Sequence, residues 1–368
     1  MSFFAHWQKL NWDALSLTLY SKTAADVEAA LTKKSLSDDD FMALVSPAAE
    51  AYLEPLATRS QELTRQRFGN TLSLFIPLYL SNLCANECSY CGFSMSNRLR
   101  RKTLSMAEIE QECAAIKAKG YDSVLVVTGE HERKVGRQYF AQALPIIKSY
   151  FSYVMFEVQP LSQKEYLQLS SLGLNAVMVY QETYNTAAYC RHHLRGKKAD
   201  IEWRLNTPDR LGAAGIDKIG LGSLIGLADW RVDSVFTAMH LSYLQRRYWR
   251  SRYSLSFPRL RPCAGTQVDT HVISDRQLVQ LICAYRLRFH DVEMSLSTRE
   301  QARLRDGLFN LGVTAVSAES KTQPGGYANA TAELEQFRID DSRSTSEVAA
   351  AIRAQGLQPV WRDWLSQW

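Results

Sequence analysis

The sequence predicts an α/β chain built around a (β/α)8 barrel of the TIM type, with a helical extension before it and closing helices after it. Three observations carry this. Eight short β-rich runs recur between residues 72 and 318, and most are near-continuous in apolar residues, as strands covered on both faces are. Stretches with helix start and stop signals separate most of them. The polar and unusual residues collect after the runs rather than before them. At 368 residues and 46% hydrophobic, the chain is long enough for such a barrel with extensions. An open doubly wound sheet is the competing fold.

Residues 1 to about 70 read as helices: "SDDDFMALVSPAAEAYLEPLATRSQELTRQRFG" spaces charged and apolar residues helically, and Ser37 with nearby acids forms an N-cap signal. The eight runs then follow as "LSLFIPLYL" (72–80), "SVLVVT" (123–128), "YVMFEV" (153–158), "AVMVY" (176–180), "KIGLGSLIG" (218–226), "YSLSF" (253–257), "VEMSLS" (292–297) and "VTAVSA" (313–318). Between them, Ser105 with Glu108, Ser162 with Glu165 and Ser297 with Glu300 read as capping boxes, and Gly120, Gly173 and Gly312 as helix stops. From about residue 331, "TAELEQF" and "STSEVAAAIRAQG" read as closing helices. The expected division is therefore 1–70, 71–330 and 331–368.

A net charge of +5, from 43 basic and 38 acidic residues spread along the chain, is too mild to suggest nucleic acid. The run "RLRRK" from Arg98 to Lys102 is short and reads as a solvated face or a ligand-facing loop. The opening residues lack a signal-peptide pattern, and "LSLFIPLYL" is about half the length a membrane span needs. Seven cysteines is an odd number, and three of them cluster, which argues against a secreted disulfide framework and for a reducing cytoplasm.

In such barrels the active site lies at the carboxyl ends of the strands. There the sequence places Cys84, Cys88 and Cys91 after the first run, Thr128, Gly129 and Glu130 after the second, and Glu157 and Gln159 after the third. Gln181, Glu182 and Tyr184 follow the fourth, and "GLGSLIGL" with Gly222 forms the fifth. "SFPRLRP", "STRE" and "SAESKTQPGGY" close the sixth, seventh and eighth. Their agreement points to one mouth lined by carboxylates, arginines and a metal site.

The spacing Cys84-x3-Cys88-x2-Cys91 suits a soft or borderline metal. Structural zinc normally closes its shell with four protein ligands, so zinc would need His131 or Cys113 as well. A four-iron cluster on three thiolates leaves one iron open. Three unligated core cysteines is the remaining reading, and the polar surroundings "SNLCANECSYC" disfavour it. Cys113, Cys190, Cys263 and Cys283 are scattered and read as buried or incidental thiols.

The cysteine spacing, with Tyr90 before the last cysteine and placement after the first strand, resembles the radical S-adenosylmethionine (SAM) enzymes. That resemblance implies a [4Fe–4S] cluster on Cys84, Cys88 and Cys91, with SAM on its open iron. It also implies SAM contacts: Glu130 to the amino group, Glu182 to the ribose or ammonium, and Arg204 to the carboxylate. Gln159 stands beside them, and the glycines around Gly222 would let the adenosyl group lie against the backbone. The plainer readings are that Glu182 caps a helix, that Arg204 is a surface residue, and that the glycines relieve barrel packing.

"SFPRLRP", "LSTRE" and "PGGY" together resemble the radical SAM aromatic amino acid lyases, and most closely the tyrosine lyases of bacterial thiazole biosynthesis. The implied reaction removes a hydrogen atom from the amino group of L-tyrosine and breaks its Cα–Cβ bond, giving p-cresol and 2-iminoacetate. A zwitterionic substrate calls for arginine. Arg299 and Arg303 read as one turn apart on one helix face. Arg303 with Ser320 is the expected carboxylate clamp and Arg299 the next choice, with Ser317 and Thr322 as hydroxyl donors and Arg259 and Arg261 nearby. Where the family mostly reads "SAGS", this chain reads "SAES", adding the Glu319 side chain. The resemblance further implies a thiazole synthase subunit and a flavodoxin-type electron donor as partners. Tryptophan is the alternative substrate, and a zinc-bound scaffold or a biotin-synthase-like enzyme using Cys190 and Cys263 are more distant alternatives. The absence of cysteine after Cys283 argues against the two-cluster lyases of hydrogenase maturation.

Overall fold

The computed structural model describes residues 2–261, 273–328 and 335–361. Its strands, in chain order, are β1 (Thr71–Ser81), β2 (Glu87–Cys88), β3 (Ser123–Thr128), β4 (Tyr153–Glu157), β5 (Ala176–Met178), β6 (His193–Arg195), β7 (Lys218–Leu221), β8 (Arg252–Ser256), β9 (Glu293–Leu296), β10 (Ala315–Ser317) and β11 (Gln358–Val360). Eight of them pair in parallel in the order β1-β3-β4-β5-β7-β8-β9-β10, and the pairing of Ser73 with Ala315 closes the ring. All eight runs expected from the sequence form these strands, and the barrel is the predicted one.

Strand alternation divides the apolar residues into two cores. Leu72, Leu74, Ile76, Leu78 and Leu80 of β1 face the helical jacket together with Val124, Val126, Val154 and Phe156. Tyr79, Leu125, Val127, Tyr153 and Met155 fill the barrel interior. Residues of that second parity are the ones that reach the mouth.

The N-terminal residues are helical, as expected: Phe3–Trp7, Trp12–Tyr20, Ala24–Thr32, Asp38–Val45 and Leu53–Phe68, with a 3-10 turn at Pro47–Tyr52. Ser37 caps its helix in a capping box with Asp40. They dock on the barrel: Gln280 Nε2 donates to the carbonyls of Leu44 and Ser46 at 2.9 Å each, and the Phe3 ring stacks on His240 at 3.9 Å.

The capping boxes at Ser105 and Ser162 form. The one expected at Ser297 does not. The helix there is Ala302–Leu308, with Gln301 as its N-cap. Glu300 is buried instead as the partner of Arg259 and Arg261, which arrive from the loop after β8. A buried charge must be paired, and that requirement outweighs a local cap.

In the C-terminal segment the helix expected at "STSEVAAAIRAQG" forms, and a strand that was not expected follows it. The helix is Thr345–Ala354, and the strand is β11, which pairs with β1 through Thr71 and Gln358. The "TAELEQF" stretch lies partly outside the described residues, and so does Cys263.

Candidate active site

The loop after β1 carries the three cysteines and is held in shape from its interior. Arg101 donates to the carbonyls of Asn82 and Phe93 at 2.8 Å each and to that of Ser94 at 2.6 Å. Of the "RLRRK" run, expected to be solvated or ligand-facing, Arg98 and Arg100 are exposed, while Arg101 contributes a guanidinium that organises backbone. The cysteine segment also pairs with a distant one: β2 lies antiparallel to β6, Cys88 opposite His193. Ser89 Oγ meets His192 Nδ1 at 2.7 Å, and Tyr90 Oη meets His193 Nε2 at 2.8 Å. Burial, with the Lys198 and Arg204 cations beside it, lowers the His193 pKa to about 2, so its ring is neutral.

Cys84, Cys88 and Cys91 line one cavity at the barrel mouth. The backbone N–H of Asn86 donates to Cys84 Sγ at 3.5 Å, and Gln336 Nε2 donates to Cys91 Sγ at 3.7 Å. Burial, then the charges of Glu130 and Cys91, pushes the Cys84 thiol up to about 11. Burial likewise raises Cys88, against the pull of Lys198. Thiolates here therefore need a positive group among them.

Beside the cysteines lies a buried charge network. Arg204 reaches Glu130 at 3.1 Å and Glu182 at 3.3 Å, and its Nε donates to the Tyr180 carbonyl at 2.8 Å. Lys198 meets Glu182 at 2.6 Å, and Asn86 Nδ2 donates to Glu130 at 2.7 Å. Burial would raise the Glu182 pKa, but Lys198 and Arg204 hold it below the usual carboxylate range. Glu182 sits at φ 72, a backbone conformation that non-glycine residues rarely adopt and that functional sites often retain. Arg204 is thus no surface residue. Gln159 lines an adjoining recess with Glu130, Lys198 and Arg204; its Nε2 donates to the Val135 carbonyl at 2.7 Å, and its buried Oε1 has no partner among the described residues.

Gly222 does not open onto the cavity. A Cβ there would meet the Ser256 carbonyl oxygen at 2.6 Å and the Tyr180 ring at 3.1 Å, so the missing side chain makes room for barrel neighbours. The packing reading fits this position.

The opposite rim is built by the loops after β8, β9 and β10. Ser317, Ser320, Thr322, Arg299 and Arg261 line the cavity there. Ser320 Oγ is buried and unpartnered among the described residues. Arg261 is occupied by Glu300 at 3.0 Å and Asp340 at 2.8 Å, and Arg259 by Glu300 and Asp275. Arg303, the expected clamp, is exposed on its helix and does not line the cavity. Because that helix starts only at Ala302, Arg299 lies in the loop before it and the two arginines share no helical face. Arg299 is the one the fold brings to the rim, its guanidinium 3.5 Å from the Phe337 ring centroid. Glu319 adopts φ 51, where a glycine would be at ease, and turns its carboxylate to Lys119 and to the N–H and hydroxyl of Thr345. Its extra charge is neutralised away from the cavity.

Residues 78–237 match the radical SAM superfamily, and residues 256–358 match the biotin and thiamin synthesis associated domain. The chain is 60% identical over 364 residues to a 2-iminoacetate synthase of Escherichia coli, spanning 99% of this chain and 97% of that protein. A 2-iminoacetate synthase of Salmonella typhimurium is 59% identical over 364 residues. The chain belongs to the 2-iminoacetate synthase family. Among solved structures, the [FeFe]-hydrogenase maturase HydG superposes with a TM-score of 0.89 at 28% identity, covering 95% of this chain and 80% of that one. HydG from Carboxydothermus hydrogenoformans gives 0.86 at 32% identity, covering 92% and 79%. Methylornithine synthase, at 22% identity and a TM-score of 0.73, shares the fold.

A radical SAM enzyme of this family uses a [4Fe–4S] cluster and SAM, and the residues present fit them. Three cysteines line one cavity, and two of the sulfurs already accept N–H donors. Among the described residues, no three His, Cys, Asp or Glu side chains gather about one point to hold a single metal ion. Donors to separate irons of a cluster need not converge in that way. Neither extra zinc ligand considered from the sequence joins them: Cys113 is buried in the core, and His131 lines the adjoining recess, its Nδ1 accepting from the Lys134 N–H at 3.2 Å. Cys190 is exposed outside the cavity, and Cys283 is buried in the core.

Sequence reasoning missed His193, Lys198 and Arg101. Each acts by folding back on the cysteine loop, and only the basic run containing Arg101 left a trace in the sequence.

Proposed function

We propose that the protein is a radical SAM lyase that cleaves the Cα–Cβ bond of L-tyrosine to 2-iminoacetate and p-cresol, for thiazole assembly in thiamine biosynthesis. The observation that carries this is near-full-length identity of 60% to a 2-iminoacetate synthase. The cysteine triad opening on the same cavity as Arg299, Ser317 and Ser320 supports it. When bound, the cluster and SAM would supply the radical chemistry that removes a hydrogen atom from the substrate.

In this reading Cys84, Cys88 and Cys91 hold the cluster. Glu130, Arg204 and Glu182 receive the charged methionyl end of SAM, with Gln159 behind them. The network is already neutral, so a zwitterion inserts by exchanging partners rather than by burying new net charge. Arg299, Ser317 and Ser320 hold the tyrosine carboxylate. The apolar wall of Phe75, Tyr79, Leu125 and Met178 excludes water from the reacting groups. The barrel 71–330 carries most of the site, 1–70 flanks it, and 331–368 adds Gln336 and Phe337 to the cavity lining.

2-Iminoacetate hydrolyses readily in water, which supports direct delivery to a thiazole synthase subunit. A one-electron donor of the flavodoxin type would reduce the cluster. No helix among the described residues is long and apolar enough to cross a membrane, in keeping with a cytoplasmic enzyme.

The test is anaerobic reconstitution followed by iron counting and incubation with SAM and a strong reductant. About four irons per chain with SAM cleavage supports the reading. A loaded protein that never cleaves SAM overturns it.

A further inference from the structure

The charged side chains of the cavity fall into two sets. Glu130, Glu182, Lys198 and Arg204 neutralise one another, and Arg261 is held by Glu300 and Asp340. Arg299 and Glu157 remain, neither with an ion-pair partner among the described residues. One is a cation on the rim after β9; the other is an anion at the end of β4, across the barrel.

Glu157 shares the parity of Tyr153 and Met155, which fill the barrel interior, so its carboxylate faces the cavity. The charges acting on it are, in order, Arg299, Glu182, Lys198 and Arg204, and the phenols of Tyr79 and Tyr180 also sense it. Glu157 is half-buried, and a carboxylate drawn partly out of water without a partner is costly, so a fold retains one where a ligand completes it. A free cation facing a free anion matches an amino acid zwitterion.

We propose that Glu157 binds the α-ammonium of the substrate and takes one proton from it, while Arg299 holds the carboxylate. This rests on the tyrosine lyase reading. The step is a proton transfer alone: one N–H bond breaks and one O–H bond forms, –NH3+ and –COO− becoming –NH2 and –COOH, and no electron moves. It serves the chemistry that follows. An ammonium has no lone pair to stabilise a radical at nitrogen, whereas a neutral amine does, and scission of Cα–Cβ to an imine draws on that nitrogen. Burial lifts the Glu157 pKa to about 7, which suits a base working near neutrality.

The test compares L-tyrosine with 3-(4-hydroxyphenyl)propionate, which keeps the carboxylate and phenol and lacks the amine. Binding of each is measured by calorimetry on cluster-loaded protein with SAM present, for the wild type, Glu157→Gln and Glu157→Asp. Glu157→Gln is expected to weaken tyrosine about 10- to 100-fold and leave the deaminated analogue unchanged. Glu157→Asp, which keeps a carboxylate, is expected to retain preference for tyrosine. Equal weakening of both ligands, or of neither, overturns the assignment. Wild-type protein that binds the analogue but not tyrosine, or neither ligand, overturns the tyrosine reading and this assignment with it.

Discussion

Arg204 and Glu130 meet at 3.1 Å although 74 residues separate them, and this contact ties the loop after β3 to the segment after β6. Both are buried or nearly so, and Glu182 shares the same guanidinium. Removing Arg204 leaves two buried carboxylates short of a cation. Arg204→Ala is therefore expected to lose about 3–5 kcal/mol of unfolding free energy, read by denaturant titration. A loss below about 0.5 kcal/mol would place the network in solvent.

Cys88 lies on a two-residue strand whose pairing with His193 runs through the backbone. Cys88→Ala is expected to fold, with unchanged circular dichroism, yet to lose the iron–sulfur absorption and all SAM cleavage. Retained SAM cleavage would move the cluster elsewhere.

Arg299 and Arg303 separate cleanly. Arg303→Ala removes an exposed side chain and is expected to change stability by no more than about 0.5 kcal/mol and leave the tyrosine KM as it was. Arg299→Ala is expected to raise that KM about 10- to 100-fold with the cluster absorption intact. The reverse pattern in steady-state kinetics would restore Arg303 as the clamp.

The pH dependence follows from Glu157. Burial raises its pKa to about 7, so its ionised fraction grows as pH rises through that value. The groups facing it keep their charge across this range: Glu182 is held low, while Lys198 and Arg204 are held high by their acidic partners against the effect of burial. Tyr79 and Tyr180 are pushed up by burial and stay neutral, and His193, lowered to about 2, does not titrate. The tyrosine kcat/KM is expected to rise through about pH 7. In Glu157→Gln that rise is expected to vanish; a limb that persists would belong to another group.

The barrel was legible because strands buried on both faces write their apolar character into a continuous local run, as "SVLVVT" does for β3. The cysteines were legible because spacing within one loop is a local fact. The rim was not. Ser297 and Glu300 carry a local capping signal, yet Glu300 is claimed by Arg259, 41 residues away. That displacement starts the helix at Ala302, which separates Arg299 from Arg303. His193 reaches Tyr90 across 103 residues, a pairing no local pattern encodes. Glu157 could be seen only as one polar residue among several at a strand end; its significance lies in having no ion-pair partner among the described residues.

The central claim is tested most directly by turnover under anaerobic conditions. Reconstituted protein, SAM and a strong reductant are incubated with L-tyrosine or L-tryptophan, and 5′-deoxyadenosine and the aromatic fragments are quantified. The account predicts 5′-deoxyadenosine with p-cresol from tyrosine, and glyoxylate from the hydrolysed imine. SAM cleavage that yields fragments of tryptophan and no p-cresol would contradict it.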